Sequence, residues 1–410
     1  MQTTSLLLFL APTVLASSAS AQSFGYPDFN STAGLTLNGN AAGVAPVLRV
    51  TPAASGMMGS VFASVPVAVN GTFETTFAFQ ITQLVGGGAD GMTFLIANDP
   101  RGATALGDGG TPMGYGYQPT SPSTVAISNS LVVEIDTWLS TGDLSTNEIS
   151  VQTGGNAVNN SDATFSIGRI TPSINMSDGQ VHVMRISYAP GSLQVFLDNL
   201  ITPLLTIPYD INTGGTWVVS GTPVGGLSLI GGNQAYVGFT SATGGAWENH
   251  DVLWWAWDSC PATLTYCTAK TNSLGCVPVI SATGTASASA GSGFVVAGGN
   301  VRNNKNGLLF YGVSGRSAAP FQGGTLCVKS PIKRTGSTNS GGTPVPASDC
   351  SGVFAIDMNL FAASSGPPLP LPALLQPGSV VDCQWWGRDP GFPAPFNTQL
   401  TNGLEYTVCP

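Results

Sequence analysis

Along residues 73–81, 91–97, 131–138, 181–188, 192–197 and 235–239, apolar side chains recur at every second position, and clusters of Gly, Asn, Asp and Pro separate these segments. A period of two belongs to a strand that presents alternate side chains to its two faces. Many short strands with turn residues between them predict two antiparallel sheets packed face to face. The pattern resumes later in the chain at 292–297, 307–311, 324–328 and 404–408, among Pro-rich loops such as SSGPPLPLPALLQPG. It predicts a second, smaller all-β module, so the expected fold class is all-β throughout.

One strand breaks the apolar pattern. In LVVEIDTW, residues 131–138, the alternation sends Glu134, Asp136 and Trp138 to one face and Val133, Ile135 and Thr137 to the other. Two acids side by side on a buried face repel each other, and burial is costly unless a cation or proton neutralises them. The polar loop STGDLSTN then carries Asp143 and leads into EISV, which begins with Glu148. A hairpin here folds Asp143 and Glu148 back beside Glu134 and Asp136. Such an oxygen-only, highly charged ligand set suits calcium or another hard divalent ion. The alternative is an exposed acidic edge.

Charge divides the chain. Residues 22–258 hold 16 acids, four arginines and neither lysine nor cysteine, whereas the stretch from Ser259 onward holds eight basic and five acidic residues and all seven cysteines. The shift predicts domains at 22–258 and 267–410 with a linker at 259–266. With a net charge of −9 and no basic cluster larger than Lys333-Arg334, a nucleic-acid partner is excluded. After the N-terminus no apolar run reaches the roughly 18–20 residues of a membrane helix. Residues 1–21, with their apolar stretch and Ala19-Ser20-Ala21 before Gln22, read as a secretory signal. Secretion places the cysteines in an oxidising compartment. Cys267 and Cys276 are expected to close a local loop, Cys327, Cys350, Cys383 and Cys409 to form two further bridges, and Cys260 to stay unpaired.

Taken in order, FGYPDFNSTAGLTLNGNA, LRVTPAASGMMGSVFASVPV, TFETTFAFQI, GADGMTFLIANDP, ALGDGGTPMGYGY, LVVEIDTW, DGQVHVMRISYAPGSLQVFLDN and AYVGFTSATGGAWENHDVLWWAWD resemble the legume-type (L-type) lectins across nearly all of residues 24–258. The resemblance implies a concanavalin-like jelly-roll sandwich with paired metal sites, calcium and a second divalent ion such as manganese, beneath a shallow sugar pocket. It implies Glu134, Asp136 and Asp143 as metal ligands, with the Trp138 carbonyl on calcium and its ring on the apolar face of a sugar. Asp90 corresponds to the family's sugar-binding aspartate, preceded by a cis Ala89–Asp90 bond. Gly110, or its neighbour Gly109, corresponds to the backbone donor, and the loop with Gly244 and Gly245 to the specificity loop. Two places depart from the family. Ser140 stands where an Asn serves both calcium and sugar, and Glu148 stands where a histidine holds the transition metal, which favours a harder ion or a single occupied site.

The function this implies is a secreted, metal-dependent lectin that binds glycans or polysaccharides without turnover, with a homo-oligomer as a further expectation. One alternative is a structural or adhesive surface protein with a degenerate sugar site. Another is a glycoside hydrolase of the same fold, but Leu139 replaces the third acid of a Glu-x-Asp-x-x-Glu strand, which leaves the catalytic pair incomplete. His182 and His250 read as structural. In the second module Trp385 and Trp386 read as core fillers, with glycan contact as the alternative.

Overall fold

The computed structural model describes residues 22–117 and 125–409; the segment expected to be a signal, 1–21, lies outside them. Two sheets form the first domain, as the alternation predicts. One runs in the order Leu205–Ile207, Ser192–Leu197, Val181–Ala189, Thr72–Val85, Trp247–Cys260, Val47–Thr51 and Ala42–Val44, and Gln22–Tyr26 also pairs with Trp247–Cys260. The other runs Ser166–Ile170, Glu148–Thr153, Ser130–Asp136, Gly91–Ala97, Gln234–Ala242, Met58–Ala63 and Leu35–Gly39. All of these pairings are antiparallel.

Between the sheets Phe77, Phe79 and Trp255 meet Phe94, Val133, Ile135 and Phe239 in one apolar core. Phe239 and Trp255 touch edge to face at 4.9 Å, an arrangement favoured by the ring quadrupole. The outer face of the second sheet carries Leu95, Ala97 and Val132, which pack against Ala105, Met113, Tyr115 and Ile127 of the connections that cross it. Arg101 fastens those connections by donating to the carbonyls of Leu106, Val125 and Ala126. Its guanidinium is held in turn by Asp99, at 2.7 and 3.1 Å, and Asp99 also accepts the Ser128 N–H at 2.9 Å. Burial acts to raise the Asp99 carboxyl, but the hydrogen bonds from Arg101 and Ser128 outweigh it and hold the group down at about 2.

The second module packs a sheet built on Gly403–Thr407, Val380–Arg388 and Asn306–Gly312 against a three-stranded sheet of Val279–Thr283, Val295–Val301 and Gly352–Asp357. The long strand at Val380–Arg388 has no counterpart in the sequence expectation, because its two adjacent tryptophans and buried Asp382 obscure the alternation. Of the residues assigned to a linker, Ser259 and Cys260 still pair with Phe73 and Thr72 of the first domain, while Leu264–Tyr266 pairs with Gly403–Thr407 of the second.

The cysteine pairing differs from the expected one. The bridges are Cys260–Cys409, Cys267–Cys327 and Cys276–Cys350, and Cys383 is free and buried. Proximity in sequence misleads here because the 272–276 turn is already held by Asn272, whose Oδ1 accepts from the N–H groups of Leu274 and Cys276, both at 3.0 Å. The Tyr266 hydroxyl meanwhile reaches the Cys327 carbonyl and draws the neighbouring Cys267 to that strand. Cys383 faces the core with Val381 and Trp385, where no other thiol comes.

Two measurements check this account. Alkylation without reduction is expected to label no cysteine in the native protein and one per chain after denaturation; two or more labels would refute the pairing. An Asp99→Asn variant is expected to lose about 1–3 kcal/mol of unfolding free energy at neutral pH. Since the folded carboxyl titrates below its ordinary 3.8, the stabilisation is complete above that value and disappears as pH falls through about 2. Urea titrations along that range should show the gap between wild type and variant closing, and a gap independent of pH would contradict the assignment.

Candidate functional site

The acids of LVVEIDTW sit where the alternation places them. The strand Ser130–Asp136 ends two residues before the expected Trp138. Leu131, Val133 and Ile135 enter the core, while Glu134 and Asp136 lie on the opposite face. On the neighbouring strand Glu148 stands directly opposite Asp136, and Ser150 stands opposite Glu134. Like charges directly opposed on paired strands destabilise a sheet, and both Asp136 and Glu148 are buried.

Each acid accepts from whatever donor its strand or loop offers. Glu134 accepts from the hydroxyls of Tyr115, at 2.5 Å, and Ser150. Asp136 accepts the Trp138 N–H at 2.8 Å, Asp143 the Ser140 N–H and Glu148 the Leu144 N–H. Glu148 Oε1 is buried without a hydrogen-bond partner. Burial, followed by the neighbouring acids Glu134 and Asp143, holds Asp136 well above the usual carboxylate range. Glu134 is pushed up to about 7 and Asp143 to about 6, in both cases first by burial, and Glu148 is raised for the same reason.

One base offsets this charge. Arg169, paired with Ser150 on the next strand, lowers Asp143 and Glu148 and donates to the Gly142 carbonyl at 2.5 Å. Sequence reasoning missed both Arg169 and Tyr115, since neither lies near the acids in the chain. Among the described residues no three His, Cys, Asp or Glu side chains, as they stand, surround one point closely enough to hold an ion. The donor set nonetheless fits a hard divalent ion: crowded carboxylates, a single nearby guanidinium and an orphaned carboxylate oxygen.

Asp90 lies at the end of the same sheet. Its N–H donates to the Ala242 carbonyl at 3.0 Å, its carbonyl accepts from the Thr137 N–H at 3.2 Å, and the Ala89–Asp90 bond is cis. The carboxylate is buried, Oδ2 has no hydrogen-bond partner, and burial followed by the charge of Glu248 pushes the group up to about 7. Gly244 borders it closely: a Cβ there would stand 3.1 Å from Asp90 Oδ2, whereas one on Gly245 would meet open space. Ser55 and Thr243 fix this loop, Ser55 Oγ donating to the Gly244 carbonyl and Thr243 Oγ1 accepting the Met57 N–H.

Trp138 is 38% exposed just beyond the strand. Ser140 lies in the turn that Asp143 closes. Gly110 lies in a turn closed by the Met113 N–H, and the Met113 sulfur packs against Gly91, the residue after Asp90. A Cβ on Gly110 would meet nothing, whereas one on Gly109 would contact Met58. The structure thus gathers Asp90, Trp138 and Gly244 around one end of the sandwich, with the Gly110 turn packed beside Gly91.

Behind Asp90 runs a buried polar chain that the sequence analysis did not single out. Glu248 accepts from the Thr137 hydroxyl and faces His250 Nε2 at 3.2 Å. His250 Nδ1 meets Thr51 Oγ1 at 2.8 Å, Thr51 meets Ser241 at 2.8 Å, and Ser241 donates to the Gly91 carbonyl. The chain joins the two sheets, because Glu248, His250 and Thr51 belong to one while Ser241 and Gly91 belong to the other. Gly88 leaves room for it, since a Cβ there would fall 2.2 Å from Glu248 Oε2. His182, the other histidine, lies between Asp178 and Asp198, directly across from Phe79 on the neighbouring strand of the first sheet.

Comparison with known proteins gives a family and several similar solved structures. The legume lectin domain family matches residues 21–269. Similar solved structures include a lectin from Bauhinia forficata in complex with GalNAc, 21% identical with a TM-score of 0.44 over 58% of this chain and 98% of that one. The metal-free lectin I-B4 of Griffonia simplicifolia is also 21% identical, with a TM-score of 0.43 over 58% of this chain and 99% of that one. The exoplasmic/lumenal domain of VIP36, in its form bound to Ca2+ and Man3GlcNAc, is 16% identical with a TM-score of 0.41 over 57% and 86%. On the family match over residues 21–269, the chain belongs to the legume lectin domain family, whose members bind carbohydrate without catalytic turnover.

Proposed function

We propose that the protein is a secreted, divalent-cation-dependent lectin whose sugar site is built on Asp90. The carrying observation is the buried Asp90 carboxylate, anchored through its backbone on both sides, with one oxygen unpartnered beside a second cluster of crowded acids. A carboxylate so placed accepts hydrogen bonds from two neighbouring sugar hydroxyls, and charge-assisted bonds of that kind are short and strong. Trp138 offers an aromatic face to the C–H side of the ring. The N–H of Gly110, the 244–245 loop and Ser140 complete the contacts.

Glu134, Asp136, Asp143 and Glu148, with the Trp138 carbonyl, would hold calcium, with manganese or a similar ion as the second occupant. The bound ion supplies the positive charge that lets those acids remain ionised together. The residues themselves set where Asp90 points, because Thr137 joins the end of the acid-bearing strand to the Asp90 carbonyl. Glycan binding therefore depends on the order of that strand end. Three disulfides fit the oxidising compartment that secretion implies, and no described helix is long and apolar enough to cross a membrane. A homo-oligomer, or a repeating polysaccharide as ligand, would strengthen binding at single shallow sites through multivalency.

A glycan array probed with the full secreted chain tests this reading. Binding is expected to vanish with chelator, to return with calcium, and to fall about tenfold or more in Asp90→Asn; binding indifferent to both would refute it. Glu248→Ala tests the support behind the site. It leaves His250 and the Thr137 hydroxyl without their buried partner, so unfolding free energy should drop by about 2–4 kcal/mol and glycan affinity with it. Unchanged denaturation and binding would show that the polar chain does not hold Asp90.

A further inference from the structure

In the second module the strand alternation separates the two tryptophans that the sequence leaves together. Leu309, Tyr311 and Trp385 enter the module's core. Leu308, Phe310 and Trp386 lie on the opposite face, with Trp386 directly across from Leu308 and Arg334 directly across from Phe310. Apolar side chains on an outer sheet face need a cover, and the hairpin of Arg316–Phe321 and Gly324–Val328 supplies one without filling the space beneath it. A cavity of about 190 Å³ remains, lined by Leu308, Phe310, Phe321, Gln322, Arg334 and Trp386.

The walls of this cavity are set in place. Phe321 meets Phe310 edge to face at 6.0 Å. Gln322 occupies the first position of a two-residue turn with φ +46° and is followed by Gly323 at +76°. Asn is the usual residue in such a turn, and the longer Gln side chain reaches the Trp386 indole, accepting its N–H at 2.8 Å. Lys270 pins the turn by donating to the Gln322 carbonyl at 2.8 Å. Arg334 lies over the Phe310 ring at 5.4 Å. Among the described residues its guanidinium has neither a carboxylate partner nor a hydrogen-bond acceptor, although Arg302 and Arg316 in the same module are each paired with an acid.

We propose that this cavity is a second carbohydrate subsite, separate from the Asp90 site, and that it takes a sugar ring bearing an anionic group. Aromatic faces suit the C–H side of a pyranose, the Gln322 amide offers hydrogen-bonding to hydroxyls, and the free planar guanidinium matches a carboxylate or sulfate in two-point fashion. The cavity's size admits one ring and is below the roughly 300–1,000 Å³ of pockets for larger ligands. Charge agrees: the module holds eight basic residues against five acids, whereas the first domain holds 16 acids against four arginines. An acidic glycan is steered to this module and away from the other. With two sites for saccharide, one chain bridges two segments of a glycan or two different glycans.

The test uses the full chain at physiological salt with chelator present, so that a cation-dependent site elsewhere does not contribute. Calorimetry with tetragalacturonate, its methyl ester, a sulfated tetrasaccharide and a nucleoside monophosphate compares the ligand classes. Binding of the carboxylated or the sulfated saccharide is expected, identifying the anionic group, with about tenfold or greater loss in Arg334→Ala and, for the carboxylate, on methyl esterification. Arg334 is exposed, so the variant is expected to fold, and Gln322→Ala should weaken the same binding by releasing Trp386. Binding of neither acidic saccharide, binding that survives Arg334→Ala, or preference for the nucleotide would each overturn the proposal.

Discussion

Asp136 and Glu148 face each other across two paired strands, both buried, with Glu134 two residues along and Asp143 in the connecting loop. A sheet gains little from such an arrangement and loses much, since opposed like charges repel and burial removes the water that would screen them. The groups that surround these acids answer to this constraint. Tyr115 and Ser150 bring hydroxyls to Glu134, Arg169 brings the nearest positive charge, and the loop gives the Ser140 N–H to Asp143 and the Leu144 N–H to Glu148. A divalent ion would resolve the repulsion in one step, and this is why the acids are proposed as its cradle.

The sandwich makes this cluster useful by fixing what stands next to it. Thr137 follows Asp136 directly, holds the Asp90 carbonyl through its N–H and reaches Glu248 through its hydroxyl. From Glu248 the polar chain continues through His250, Thr51 and Ser241 to the other sheet. This chain lies behind the segment around Asp90 as the acid cluster lies beside it, and its open position is Glu248 Oε2, buried without a hydrogen-bond partner. The exposed ring of Trp138 and the open face of Gly245 then lie next to a carboxylate whose backbone is held on both sides.

Much of this was legible in the sequence because strand alternation is a local signal. Glu134 and Asp136 on one face, Val133 and Ile135 on the other, and the strand Gly91–Ala97 all follow from a period of two. The residues that escaped notice act across long separations. Glu248 meets Thr137 over 111 residues and Ser241 meets Thr51 over 190, and no local pattern marks either pair. The cysteines show the opposite failure, since the nearby Cys267 and Cys276 suggest a bridge that Asn272 makes unnecessary. Trp385 and Trp386 look alike in sequence, and only the register with Leu308 and Leu309 separates the core residue from the one that lines a cavity.

The central claim is that the crowded acids exist to hold a divalent ion, and titration of calcium into chelator-stripped protein tests it most directly. Saturable heat of binding, accompanied by a rise in Tm with calcium concentration, is the predicted result, because a ligand that binds only the folded chain stabilises it by mass action. No heat and no change in Tm with either calcium or manganese would contradict the account and leave the buried acids without their explanation.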